Sequence, residues 1–201
     1  MNRPLALAAV LAIPGLAALF HLLGQSGLRP LDAQLAGLAA YWTALAIALA
    51  RCGGWSLRLR RPSVPAVLAL VALVLAALAW QGGTLLRLSP GVLAAVVLAA
   101  ALNGTLEEAF WRGALIPDPG PGAQALAATL FVLWHLAPAA GAGLAGQDTL
   151  RLLLGAALIA PFMMAARLSS GTAGAGALAH ALVNLLAFSG LAAANGMPAS
   201  A

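Results

Sequence analysis

The chain has no lysine, a single cysteine, and only five acidic residues among 201. With Cys52 alone, no internal disulfide and no cysteine-based metal cluster can form. Cys52 reads as a free thiol near a membrane edge. The net charge of +5 comes entirely from ten arginines. These lie between apolar runs, which argues against nucleic acid as a partner. Charged residues make up 7% of the chain, too few to cover a soluble domain, and hydrophobic residues make up 63%. What remains is a polytopic membrane protein.

Polar and Pro/Gly interruptions divide the chain into apolar runs of about 20 residues, the length that crosses a bilayer as a helix. The expected spans are about 4–23, 31–50, 64–80, 91–116, 123–139, 149–168 and 172–191. The fold class is therefore all-α, a bundle of about seven transmembrane helices, with six to eight as the range. Gln81-Gly82-Gly83-Thr84 is expected to open a loop, and Asp148 is an expected N-cap. Pro161 is an expected kink. The run Pro117-Asp118-Pro119-Gly120-Pro121 is a hard break, because proline removes donors and keeps the residue before it out of helix. The first apolar run is longer than a signal-peptide core, so it is expected to stay as a helix. One integral membrane domain over 1–201 is expected, with no soluble one.

The arginines also give an orientation. Arg3, Arg51, Arg58, Arg60, Arg61 and Arg167 fall on one side, against Arg29, Arg87 and Arg151 on the other. The richer side is expected to be cytoplasmic. With seven spans, the N-terminus lies inside. Alanine and arginine dominance points to a bacterial chain, and so to the inner membrane.

Glu107 and Glu108 are the only glutamates, and both fall inside the fourth span. A charge at the centre of a membrane helix costs about 2.5–3.5 kcal/mol even on the lenient insertion scale, so an intramembrane carboxylate is a functional candidate. Glu108 and Arg112 are i and i+4 with the acid first, the favourable order for an ion pair. Glu107 points about 100° away and has no cation on its own face. It is the carboxylate left for chemistry, as a general base.

Two further spans carry histidines. Phe131 and His135 share a helical face, as do His180 and Asn184. His21, near the end of the first span, reads as an interfacial residue. Counted at 1.5 Å per residue, Glu107, His135 and His180 lie ~15, ~18 and ~12 Å from the presumed cytoplasmic ends. These depths are similar, so the three groups can meet in one pocket. The set suits hydrolysis. Glu107 with His135 could hold and deprotonate a water, while His180 and Asn184 donate to an oxyanion. Glu107, His135 and His180 could equally bind a divalent metal such as zinc, which would activate the water.

In this order, Glu-Glu-x-x-x-Arg, Phe-x-x-x-His and His-x-x-x-Asn resemble the motifs of the CPBP (CAAX protease and bacteriocin-processing, or Abi) intramembrane endopeptidases. Arg112-Gly113-Ala114-Leu115 and the small residues before His180 fit as well. The resemblance covers about 91–191, the expected protease-like core. It implies a helical membrane protease that cleaves a membrane-associated peptide or protein. It assigns catalysis to Glu107, His135 and His180, oxyanion donation to Asn184, and support to Glu108 and Arg112. Both metal-dependent and metal-free, glutamate-dependent mechanisms are argued for that family. Trp111 stands where phenylalanine is common. Prenylated tails belong to eukaryotic members, so a bacterial chain is expected to cut some other peptide.

Two non-protease readings stand beside this one. A non-catalytic immunity or scaffold factor could share the fold. A bis-histidine haem protein could use His135 and His180 as axial ligands, but it would leave Glu107 without a role.

Overall fold

The computed structural model describes residues 1–141 and 149–195. The helices are α1 (Arg3–Gly24), α2 (Pro30–Arg51), α3 (Val64–Leu85), α4 (Pro90–Glu108), α5 (Pro121–Trp134), a single turn α6 (Leu136–Ala139), α7 (Thr149–Ser170) and α8 (Gly174–Ala194). A π-helical segment, Ala109–Ala114, continues α4. Seven helices are long and apolar enough to cross a membrane: α1, α2, α3, α4 with its π segment, α5 with α6, α7 and α8. No strand occurs among the described residues.

Local sequence explains most of the boundaries. α1 to α5 each carry a proline at their first or second position, where its missing N–H leaves no bond unmade. The Asn2 side chain caps α1 by accepting from the Leu5 N–H at 3.3 Å. The residue expected as the N-cap of α7, Asp148, lies outside the described residues. Pro161 sits inside α7, which runs unbroken around it.

The structure departs from the expected spans in three places. First, α3 does not stop at Trp80 but continues through Gln81, Gly82, Gly83 and Thr84 to Leu85. Without competing water the backbone keeps its helical bonds there, and Gln81 packs closely on Gly190 of α8. Second, α5 breaks at His135. Pro138, three residues on, has no N–H to return to the Trp134 carbonyl, so the helix cannot pass evenly. Third, the fourth span is not α-helical to its end. The Leu115 N–H bonds to the Phe110 carbonyl five residues back, at 2.9 Å. Insertions of this kind are rare and concentrate at functional sites.

α8 lies at the centre, packed against α3, α4 and α7. Small residues make this possible: Gly174, Ala175, Gly176, Ala177 and Ala179 are all buried on α8. Membrane helices lack a hydrophobic force pulling them together and depend on close backbone approach. α4 crosses α8 backbone to backbone, where a Cβ at Gly104 would lie 2.4 Å from the Ala181 backbone nitrogen. The segment 52–63 lies across the far end of this pair and carries no helix. The Ala173 N–H donates to the Ser56 carbonyl at 2.9 Å, and the Thr172 hydroxyl to the Arg58 carbonyl at 2.8 Å. Asn2, Leu115, Arg112 and Arg167 meet at the same end, through Asn2 N–H to Leu115 carbonyl and Arg167 Nε to Arg112 carbonyl.

Gly104→Ala should therefore destabilise the bundle. Its contact is backbone, which cannot swing aside, and overpacking typically costs about 1–3 kcal/mol. Gly155→Ala on α7, with nothing within 4 Å of the added carbon, should be neutral or mildly stabilising. Melting temperatures of the two variants in one detergent check this.

Candidate active site

The last turn of α4, the π segment, the end of α5 and the middle of α8 converge on one buried polar cluster. Glu107, Glu108, Arg112 and His180 are each at most 1% exposed. Bare charges at this depth are tolerated only when they answer one another. Glu108 is the common partner. Its Oε1 lies 3.1 Å from Arg112 Nη1, so the expected i,i+4 pair is present. The same Oε1 accepts from His180 Nδ1 at 2.9 Å. A Cβ at position 176 would come within 3.1 Å of Glu108 Oε2, so Gly176 leaves room for that oxygen against α8. The Arg112 guanidinium lies over the Phe131 ring at 4.0 Å, a cation–π contact that an alkyl side chain could not supply.

Glu107 has a different environment. Its Oε1 accepts from the Trp134 indole N–H at 2.9 Å. Its Oε2 is buried without a hydrogen-bond partner and lies 3.5 Å from His180 Nε2. His180 thus presents one ring nitrogen to each glutamate. Glu107 has no cation on its own helical face, but it faces the far side of the same imidazole, which arrives from α8.

His135 caps α5 and is half-buried. Its Nδ1 bonds to the Phe131 carbonyl at 2.8 Å, which leaves Nε2 as the unprotonated nitrogen of the neutral ring. Phe131 packs edge-on against both histidines, with centroids 5.0 Å from His135 and 5.8 Å from His180. Asn184 lies one turn beyond His180 on α8, buried, and its Nδ2 has no partner. The six residues singled out in the sequence therefore gather around Phe131 and α8. His21, by contrast, bonds to Gln25 at 3.0 Å at an exposed position.

Three aromatic contributions are not legible in the motifs. Trp134 holds Glu107. Tyr41 of α2 stacks on Trp134 with centroids 3.6 Å apart, and its hydroxyl accepts from the Trp111 indole at 3.0 Å. Trp42 donates to Asn103 at 2.8 Å, one turn before Glu107. Tyr41 left one signal: it is the chain's only tyrosine and it falls mid-span, whereas membrane tyrosines favour the interfaces. A buried phenol needs a polar partner.

A divalent metal would need three or four donors around one point. Among the described residues, no three His, Cys, Asp or Glu side chains are so placed. The donor set as arranged does not fit such an ion.

Residues 89–186 match the family described as type II CAAX prenyl endopeptidase Rce1-like. This match, over just under half of the chain, supports the CAAX protease (CPBP) family. The match covers the π segment, both histidine motifs and the buried glutamates. The chain matches no curated protein and no solved structure. The family match and seven apolar helices support an integral membrane protein of a CAAX-type protease family, with a lipid bilayer around it and a peptide as the class of substrate.

Arg112→Ala should damage folding before chemistry. It leaves Glu108 with only the imidazole as counter-charge, and breaking a buried pair typically costs about 3–5 kcal/mol. Adding Glu108→Gln should restore much of the folded yield. A single variant that melts like the parent would show that the pair contributes little.

Proposed function

We propose that the chain is an intramembrane endopeptidase that hydrolyses a peptide bond in a membrane-associated peptide or protein without needing a metal. Of the buried polar atoms that lack a hydrogen-bond partner, which include Glu108 Oε2 and the Arg112 nitrogens, two carry this reading: Glu107 Oε2, 3.5 Å from His180 Nε2, and Asn184 Nδ2, one turn beyond His180. One is an acceptor, the other a donor, and hydrolysis needs one of each.

In this mechanism, Glu107 and His135 hold and deprotonate a water. Trp134 holds one oxygen of Glu107, which aims the other. Trp134 also packs beside His135, with centroids 5.8 Å apart, and so links the two residues. The oxygen of the water attacks the scissile carbonyl carbon as its proton passes to Glu107. Asn184 donates through Nδ2 to the oxyanion that forms, and His180 donates through Nε2 when its ring carries both protons. The C–N bond then breaks, and the proton held by Glu107 goes to the departing amine. Glu108 and Arg112 act through others: Glu108 fixes His180 by accepting from Nδ1, and Arg112 balances the charge of Glu108. The burial of the cluster supports this division, because preorganised donors act most strongly where water is excluded.

We further read the chain as one membrane domain, with its catalytic core at about 91–191. We place its arginine-rich end and N-terminus in the cytoplasm of a bacterium, in the inner membrane. The substrate would then reach the site from the cytoplasmic half.

Glu107→Gln should lower the rate of peptide cleavage at least ~10²-fold, the low end for losing a general base, and leave the melting temperature equal or higher. Glu108→Gln should do the reverse: it should lose more stability and less turnover, because it removes the carboxylate charge that Arg112 and His180 share. Asn184→Ala should cut kcat by ~10²–10³ with KM little changed, as for an oxyanion donor. A cleavage assay in liposomes beside a thermal melt separates these effects. Full activity in the Glu107 variant would remove the proposed mechanism.

A further inference from the structure

We propose that the segment 52–63, together with Arg51 and Arg3, is a binding surface for anionic phospholipid headgroups. This rests on features that the proposed hydrolysis does not use. Arg51, Arg58, Arg60 and Arg61 cluster within a short stretch and are all exposed. The N-terminus adds the exposed Arg3, brought alongside by Asn2, whose side-chain amide donates to Cys52 Sγ at 3.9 Å. Among the described residues, none of these five arginines has an ion pair. At the opposite end, Arg29 is held by Asp32 at 2.6 Å. Asp118 is exposed on the loop whose Pro117 approaches Gly54.

The segment also carries apolar side chains at the same surface. Leu59 is 72% exposed and Trp55 is 37% exposed. The Trp55 indole N–H donates to the Leu49 and Cys52 carbonyls at the end of α2, which fixes the ring there. Tryptophan beside arginine, at the end of a span, is the composition of a membrane-interface anchor. Guanidinium groups pair with phosphate through two parallel N–H bonds, and juxtamembrane basic clusters attract anionic lipid. A water-borne peptide would gain little from Leu59, whereas a lipid surface accommodates both kinds of side chain.

The arginines are not carried on a loose loop. A Cβ at Gly174 would lie 2.5 Å from the Leu57 carbonyl oxygen, and a Cβ at Gly113 would lie 2.7 Å from Trp55 Cβ. The backbone therefore rests directly on the start of α8 and on the π segment, so the charges are presented on a fixed frame. Those two elements carry His180 and Arg112. A lipid held on this segment would brace the end of the molecule from which the buried cluster is built.

The test uses the full chain in dodecyl maltoside micelles, with added phosphatidylglycerol or phosphatidylcholine. Native mass spectrometry reads the lipid retained, and a thermal melt reads the stabilisation. The parent protein should retain phosphatidylglycerol in preference to phosphatidylcholine and melt higher with it. Each arginine near an anionic surface contributes about fivefold, so R58Q/R60Q/R61Q should lose roughly a hundredfold in retention. Its melt in phosphatidylcholine should stay unchanged, because the three side chains are exposed. Arg87→Gln, at the opposite end, should behave like the parent. The proposal is overturned if the triple variant keeps the lipid preference, or if Arg87→Gln loses it equally. It is also overturned if the triple change raises KM for a peptide in neutral micelles with lipid retention intact, which would assign the segment to substrate. None of these readouts depends on Glu107 being the base.

Discussion

Glu108 is the carboxylate on which the rest of the interior depends. Its one oxygen, Oε1, serves both Arg112 and the His180 ring, and it does so at essentially zero exposure. Charges removed from water demand partners with good geometry, and a bilayer enforces this more severely than a soluble core. The surrounding architecture meets that demand. The π segment sets Arg112 over Phe131, Gly176 leaves space for the second carboxylate oxygen, and α8 comes close enough to bring in His180.

Once Glu108 is balanced, Glu107 is free for a different role. It is held by an indole N–H instead of the guanidinium, and one oxygen of each glutamate remains without a hydrogen-bond partner. Two neighbouring glutamates thus differ in their surroundings, one paired with Arg112 and one held by Trp134. The close crossing of α4 and α8 at Gly104 keeps this difference in place, because any separation there would move both carboxylates away from the imidazole. The segment 52–63 closes the same crossing from its end, so fold and site share one set of contacts.

Much of this was legible in the sequence. Spans could be counted because apolar runs and proline-led starts are strong signals, and the Glu108–Arg112 pair followed from helical spacing alone. Equal depth correctly brought Glu107 and His180 together. The π segment was not legible, because an inserted residue leaves no trace in an apolar helix. The break at His135 had a visible cause in Pro138, but its consequence for histidine orientation depended on tertiary packing. Continuation of α3 through Gly82 and Gly83 ran against propensity, which the membrane overrides. The sharing of His180 by both glutamates was hidden for a simpler reason: spacing within one helix says nothing of a ring that arrives from another. Trp134 and Tyr41 were similarly silent, since aromatic residues in an apolar span look like packing until their polar atoms find partners.

The central claim is that His180 is oriented by Glu108 and turns its other nitrogen to Glu107. Nitrogen-15 NMR of the histidines in the lipid-reconstituted protein tests this most directly, with His180→Gln for assignment and Glu108→Gln for comparison. Nδ1 of His180 should be protonated in the parent protein, with a shift that changes markedly when Glu108 becomes glutamine. An unprotonated Nδ1, or a His180 signal indifferent to Glu108, would contradict it.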